Sequence, residues 1–259
     1  MSLHILSLET SSAWCGVALL RATDTGAADL FAREHQGVQE HSARLLPMVQ
    51  EVLDEAGIAR TQLDAIAFGQ GPGGFTGLRV ACGVAQGLGF ALDRPVVPVV
   101  SHAAVAQQVR DPGSRTLVVA MDARMQEIYL AAYRREPSGR LACVIEPQLM
   151  AGEGLESWVR RRLEDLGDPV PQRPLLCGDA AAAYPEVFAG FGADERSDIA
   201  RPTAAAVARL AHDAYLRGEA VAAELAAPLY VRDKVAFTTA EREAGAGGNP
   251  RVATSGAQS

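Results

Sequence analysis

The eleven residues Gly69-Gln70-Gly71-Pro72-Gly73-Gly74-Phe75-Thr76-Gly77-Leu78-Arg79 hold the densest set of chemistry-capable backbone in the chain. The apolar run Ala65-Ile66-Ala67-Phe68 before them is short enough for a buried strand. Val80 to Leu92 after them is long enough, and free of proline, for a helix. Glycines at such a turn leave backbone N–H groups unpaired where the helix dipole favours negative charge. That suits an anion or nucleotide cradle. It equally suits close packing of strand on helix, and the residue types leave both open. A P-loop is excluded: Gly69 and Gly74 have its spacing, but Phe75 stands where the lysine should be, and the chain's only lysine is Lys234.

Other candidates are carboxylates at the ends of apolar runs. Glu9-Thr10-Ser11-Ser12 closes the first such run, and Asp122 closes a comparable one in the second half. These groups could face metal and phosphate, or could cap tight turns through side-chain-to-backbone bonds. Gly178-Asp179 follows Leu175-Leu176-Cys177 in the same manner. His4, His35, His41, His102 and His212 are dispersed with no HExxH, and Cys15, Cys82, Cys143 and Cys177 form no CxxC pair. No zinc or redox site is expected, and the cysteines read as core thiols of a reducing compartment. Arg79 opposes the dipole of its helix by about 0.3–1 kcal/mol, so an offsetting partner is expected, a structural salt bridge.

Leu3–Glu9, Cys15–Arg21 and 29–33 read as strands, the first two as a hairpin. Glu40–Ala56 reads as a helix with Leu45, Val49, Val52 and Ala56 on one stripe and Gly57 as its stop. The glycine turn with its strand and helix follows, then a strand at Val96–Val100. After the break at Asp111-Pro112-Gly113-Ser114 the order starts again: strands at Thr116–Met121, Glu127–Tyr133 and Leu141–Ile145, a helix at Leu155–Leu166, a strand at Pro174–Cys177 and a helix at Thr203–Arg217. The repeated order predicts a duplicated α/β lobe with a cleft between the halves, residues 1–110 forming the first lobe and 115–235 the second. Residues 236–259 offer little to bury and are expected to be a disordered tail.

Two helices carry a further signal. Leu45, Leu46, Val49 and Leu53 lie on an apolar arc wider than one packing face requires. Gly77, Ala81, Ala85 and Gly89 make a small-residue line at steps of four. All eight are expected to form a protein–protein surface, the alternative being that both helices are simply buried within the lobe.

Composition bounds the class. With 48% hydrophobic and 21% charged residues the chain can build a packed core, and a formal net charge of −7 gives no chain-wide attraction for nucleic acid. Met1–Leu8 lacks a cationic region and meets Glu9 too early for a signal peptide. The most apolar later stretch, Leu78–Val100, is interrupted by Gln86, Asp93, Arg94 and Pro95, so no membrane span is read there. A cytoplasmic protein is expected.

The sequence resembles the TsaB (YeaZ) family of tRNA threonylcarbamoyladenosine biosynthesis. The resemblance rests on Ile5-Leu6-Ser7-Leu8-Glu9-Thr10-Ser11-Ser12, His41-Ser42-Ala43-Arg44-Leu45-Leu46-Pro47-Met48, the glycine turn through Arg79, Met121-Asp122-Ala123-Arg124, and Pro228-Leu229-Tyr230-Val231-Arg232. Gly74 departs from a serine common in that turn, and Glu9 from an aspartate. The resemblance implies a two-lobe actin-like fold of the sugar-kinase and Hsp70 class, with duplicated RNase H-like lobes. It implies a non-catalytic partner of the transferase TsaD in a heterodimer, the ATPase TsaE completing the complex and tRNA reached only through it. A homodimer of the isolated chain is compatible with the same helices.

The catalytic relative holds its metal between two histidines four residues apart. His102 falls at the first of those places, but Ala106 stands at the second and has no ligand atom. No metal and no required cofactor are expected. Glu9, Thr10, Ser11, Gly71, Gly73, Asp122 and Gly178 are compatible with weak, vestigial binding of ATP or ADP. The competing reading is an active enzyme, an ATP-dependent actin-fold phosphotransferase or a metalloprotease-like hydrolase.

Overall fold

The computed structural model describes residues 2–23, 28–37, 40–110, 115–167 and 173–232. The expected disordered tail lies outside the described residues. The first lobe opens with β1 (Ser2–Glu9), β2 (Trp14–Thr23) and β3 (Ala28–Gln36). There follow α1 (His41–Ala56), β4 (Ala65–Gly71), α2 (Phe75–Leu92), β5 (Val96–Val100) and α3 (Ser101–Gln108). The second contains β6 (Leu117–Asp122), β7 (Glu127–Arg135), β8 (Leu141–Ala151), α4 (Leu155–Asp165), β9 (Leu175–Cys177) and the short α5 (Ala180–Ala183). After them comes α6 (Ala204–Leu216).

The first sheet runs β3-β2-β1-β4-β5, with β1, β2 and β3 antiparallel and β4 and β5 joined in parallel. The second runs β8-β7-β6-β9, which repeats the order of the first four strands with no fifth strand among the described residues. The duplicated architecture expected from element order is therefore present.

Side-chain alternation along β1 explains the layers. Leu6 and Leu8 point to one face, where α1 and α2 lie side by side and supply Leu45, Val52, Leu53, Ala81 and Ala85. Ile5 points to the other, with Ala65, Ala67, Val97 and Val99 from β4 and β5. Small side chains on that second face let an alanine-rich helix approach closely. The helix that does so is α6, through Ala206, Ala211 and Ala214, and Ser7 Oγ donates to Ala204 O at 2.8 Å. Gly57 ends α1 in the left-handed conformation (φ 67°) and donates to Leu53 O and Asp54 O. Thr203 Oγ1 caps α6 by accepting from Ala206 N at 3.3 Å.

The packing of α6 corrects one expectation. Chain order assigned Thr203–Arg217 to the second lobe, yet α6 covers the first sheet, because that alanine-lined face is left open until the chain returns. The chain after α6 stays there. Val221 bridges Val96 through two 2.8 Å backbone bonds, and Ala223 and Ala226 join the first core. Between the lobes sits α3, whose Val105 and Ala106, with Val109 just beyond its end, pack on one face of the second sheet. The other face is covered by Leu155, Val159 and Leu163 of α4 with Phe188 and Phe191.

By length and composition α2 could cross a membrane. Its inward face, Gly77, Leu78, Ala81, Cys82, Ala85 and Gly89, is buried against the first lobe.

Candidate functional site

A cleft of about 450 Å³ opens between the lobes, with the Ser11–Ser12 and Gly73–Phe75 segments on one wall and Asp122–Met125 on the other. The glycine turn builds the first wall. Gly74 N donates to Ser11 O at 2.7 Å, and a Cβ on Gly73 would come within 2.5 Å of the same oxygen. A Cβ on Gly77 would overlap the Thr10 carbonyl oxygen, while Thr10 Oγ1 donates to Gly77 O at 2.7 Å. The glycines at 73 and 77 thus let the β1–β2 turn seat on the first turn of α2, and of the two readings of this motif the close-packing one accounts for them.

Glu9 does not line the cleft. It is 2% exposed beneath the glycine turn, its Oε1 accepting from Ser11 N at 2.6 Å and its Oε2 from Ser101 Oγ at 3.2 Å. The place a side chain would take on Gly69 is filled by this carboxylate. Burial raises the Glu9 carboxyl above its ordinary value of 4.5, against hydrogen bonds from Ser11, Ser101 and Thr10 that lower it. A carboxyl that binds its proton more tightly when folded is most favourable to the fold below its unfolded pKa. That contribution is lost as pH rises toward the folded pKa and is level above it. Glu9→Gln should therefore gain stability relative to the parent as pH climbs from 4 to 8, since the amide can still accept from Ser11 N and donate to Ser101 Oγ. Denaturant midpoints across that range would check it; a parent that gains on the variant would mean that a cation or donor holds Glu9 ionised.

On the second wall Asp122 Oδ1 accepts from Arg124 N and from Tyr184 OH, both at 2.7 Å, and its Oδ2 pairs with Arg124 Nη1 at 2.9 Å. Asp179 Oδ1 accepts from Asp122 N at 2.8 Å, and burial, then the neighbouring Asp122 charge, raises its carboxyl against hydrogen bonds to Asp122 and Asp179 N–H. Arg124, Met125 and Gln126 all have positive φ (63°, 58° and 60°), a left-handed turn that costs non-glycine residues energy. Asp122, a backbone bond from Glu127 N to Arg124 O and one from Gly152 N to Gln126 O hold it.

Of the seven residues offered for nucleotide contact, Ser11, Gly73 and Asp122 line the cleft. Glu9 and Thr10 are buried behind the wall. Gly71 (φ 105°) and Gly178 (φ 102°) serve backbone close to Leu229 and Ala120. Phe75, Arg124, Met125, Tyr129, Asp179 and Tyr230 also line it. Phe75, Arg124 and Tyr230 fall within the stretches that carry the resemblance and Asp179 within the Gly178-Asp179 turn, whereas Met125 and Tyr129 carry no site signal in the sequence.

The salt bridge expected for Arg79 is not formed among the described residues. Its guanidinium lies 3.9 Å from the Phe75 ring centroid, and Nε donates to Tyr230 OH at 3.0 Å. The aromatic faces supply the offset in place of a carboxylate. His102 opens α3, fully buried, with Nε2 donating to Tyr129 O at 3.0 Å. Burial lowers its pKa to about 4, so it is neutral at pH 7. Ala106 is buried on the same helix, and no cluster of three His, Cys, Asp or Glu suited to a metal exists among the described residues. Cys143 departs from the core-thiol expectation: it is exposed, with its thiol pushed up to about 11, while Cys15, Cys82 and Cys177 are buried.

The helix surface is corrected more deeply. Leu45, Val49 and Leu53 are buried in the first core, and so are Gly77, Ala81, Ala85 and Gly89. The small-residue line faces the sheet and the returning chain: a Cβ on Gly89 would reach within 2.9–3.0 Å of Val96 and Ala223. Only Leu46 of the eight is exposed, at 52%. The outward face of α2 has its own small line, Gly83 and Gly87, at which an added Cβ would meet nothing within 4 Å. Half-buried Val80, Val84 and Leu88 flank it, and Phe90 is 82% exposed.

Two sheets of matching order, joined through α3 and α6 around a cleft, place the chain in the two-lobe actin-like class. Comparison with known proteins narrows this. A family model described as TsaD, tRNA N6-adenosine threonylcarbamoyltransferase, matches residues 31–240. The tRNA threonylcarbamoyladenosine biosynthesis protein TsaB of Haemophilus influenzae is 34% identical over 91% of this chain and 96% of its own, and that of Escherichia coli 31% over 91% and 97%. The solved structure of YeaZ from Pseudomonas aeruginosa superposes with a TM-score of 0.72 at 36% identity, covering 88% of this chain and 99% of that one. A second structure from that organism, described as similar to peptidase YEAZ, gives 0.73 at 36% identity over 89% and 100%. The chain belongs to the TsaB (YeaZ) family of tRNA threonylcarbamoyladenosine biosynthesis proteins.

Proposed function

We propose that this chain is a non-catalytic subunit that docks a TsaD-type transferase and supports threonylcarbamoyl transfer to adenosine in ANN-decoding tRNAs. The observation that carries the reading is the outward face of α2, where Gly83 and Gly87 leave backbone bare between Val80, Val84 and Leu88. A partner helix can approach such a line closely. Leu46 on α1 and Phe90 on α2 add exposed apolar area. Leu45, Val49, Leu53 and the line from Gly77 to Gly89 are spent inside the lobe, so the proposed surface is the other side of the same two helices.

The non-catalytic half of the reading draws on the cleft. Asp122 is committed to the left-handed turn and to Tyr184, Glu9 is sealed below the wall, and His102 is bonded to backbone. ATP or ADP would bind weakly, as a vestige. TsaE joins as the third component, tRNA is met through the complex, the compartment is the cytoplasm, and isolated chains pair through the same outward face.

The experiment is reconstitution. The chain and a TsaD-type protein of the same organism should give a heterodimer by light scattering. Transfer to tRNA, with the other pathway components supplied, should need both. Threonylcarbamoyl transfer, or sustained ATP turnover, by the isolated chain would overturn the reading in favour of an enzyme.

A further inference from the structure

The chain that follows α6 makes a connection that neither lobe's core requires. It leaves the first core at Ala226, whose carbonyl accepts from Gln86 Nε2 at 2.9 Å, and then crosses the cleft. Leu229 N donates to Gln70 O at 2.7 Å on the end of β4. The Leu229 carbonyl lies 3.2 Å from where a Cβ on Gly71 would stand, so the glycine there leaves room for the crossing. Tyr230 packs on Phe75 of the first lobe with ring centroids 5.5 Å apart. One residue later Val231 packs against the core of the second lobe. Arg232 then pairs with Glu127 of β7 at 2.7 Å, and its Nη2 donates to Ala123 O at the same distance. Both side chains of that ion pair are nearly buried, 9% and 5% exposed.

Going beyond the proposed function, we propose that residues 228–232 are a latch that fixes the separation of the two lobes, with the Arg232–Glu127 pair as its catch. Within four residues the chain is hydrogen-bonded to the first lobe and ion-paired to the second, so any movement that widens the cleft must extend the segment or break the pair. A nearly buried pair is screened little by salt, and removing one partner strands the other charge out of water. The segment also forms part of the cleft wall, through Leu229, Tyr230, Val231 and Arg232. Releasing the catch therefore opens the cleft, and keeping it closed holds the two-lobe body rigid.

The test reads lobe separation directly. Spin labels on Arg209→Cys of α6 and Arg161→Cys of α4, both exposed, with Cys143→Ser to remove the exposed thiol, report the distance across the cleft by double electron–electron resonance. The parent should give one narrow distribution that does not change between low and high salt. Arg232→Ala should broaden it or shift it to longer distance, and the exchange Arg232→Glu with Glu127→Arg should bring it back toward the parent. Glu127→Gln, which keeps the side-chain shape, serves if Arg232→Ala does not fold. Arg217→Ala, which removes an exposed pair with Glu219, should leave the distribution alone. Variants that melt at lower temperature with an unchanged distance distribution would overturn the proposal and leave the pair as ordinary stabilisation.

Discussion

Gly77→Ala is expected to destabilise the protein by about 2 kcal/mol or more, against an intrinsic helix preference that runs the other way. Alanine is favoured over glycine inside a helix by roughly 1 kcal/mol, so at an open position the same change stabilises. Gly77 is buried in the first turn of α2, and the added methyl would occupy the space of the Thr10 carbonyl oxygen. That oxygen is backbone, held in the β1–β2 turn, so relief requires the helix to move off the turn as a whole. Moving it stretches the Thr10 Oγ1 to Gly77 O bond and the Gly74 N to Ser11 O bond. Overpacking of this kind costs about 1–3 kcal/mol, and more where backbone is the obstacle. Gly83→Ala is the matched control, six residues along the same helix with open space around it; it should gain about 0.5–1 kcal/mol. Denaturant unfolding of the two variants beside the parent decides the matter. Equal stabilities would mean that α2 does not seat on Thr10 and that the glycine turn has another purpose.

Why the sequence left this open is instructive. Every element that packs by a plain period was legible, including the hairpin of β1 and β2, the stripe of α1, and the repeat of strand order in the second half. The facing of α2 was not, because small residues recur every four positions on both of its sides. Gly77, Ala81, Ala85 and Gly89 make room for sheet and returning chain; Gly83 and Gly87 face outward. Composition cannot separate glycine that admits the chain's own backbone from glycine that would admit a partner's.

The site was hidden for other reasons. A left-handed turn normally announces itself through glycine or asparagine, and Arg124-Met125-Gln126 has neither; it is held by bonds from Asp122, Glu127 and Gly152 that only the fold assembles. The role of Arg232 depends on Glu127, more than a hundred residues earlier. Glu9 sits at a strand end from which it could face the cleft or turn beneath it, and the cavity left by Gly69 decides in favour of the second. Chain order likewise gave no hint that α6 belongs to the first sheet, since the open alanine-lined face it covers exists only in three dimensions.

The sharpest separation between folding and docking is expected from two neighbouring positions on α1. Leu46 and Val49 are three residues apart, yet Leu46 is 52% exposed and Val49 only 3%. Val49→Asp would place a carboxylate in the core beside Leu45, Val52 and Leu53. An unpaired charge there must be neutralised or hydrated at a cost of several kcal/mol. That is of the order of the whole stability of a domain, ~5–15 kcal/mol. The variant should be unfolded or melt far below the parent, so any loss of partner binding by it is uninformative. Leu46→Asp puts the same charge in water and should keep the parent's melting temperature to within a few degrees. If the outward faces of α1 and α2 meet a TsaD-type protein, the same charge becomes desolvated on docking. A central apolar contact replaced in this way should cost about 2 kcal/mol of binding, roughly thirty-fold in Kd. Phe90→Asp supplies the equivalent probe on α2, where the side chain is 82% exposed. Titration of each folded variant against the purified partner, beside its thermal melt, gives the result. Folded Leu46→Asp and Phe90→Asp variants that bind as the parent does would move the docking surface off these helices, while leaving the family membership untouched.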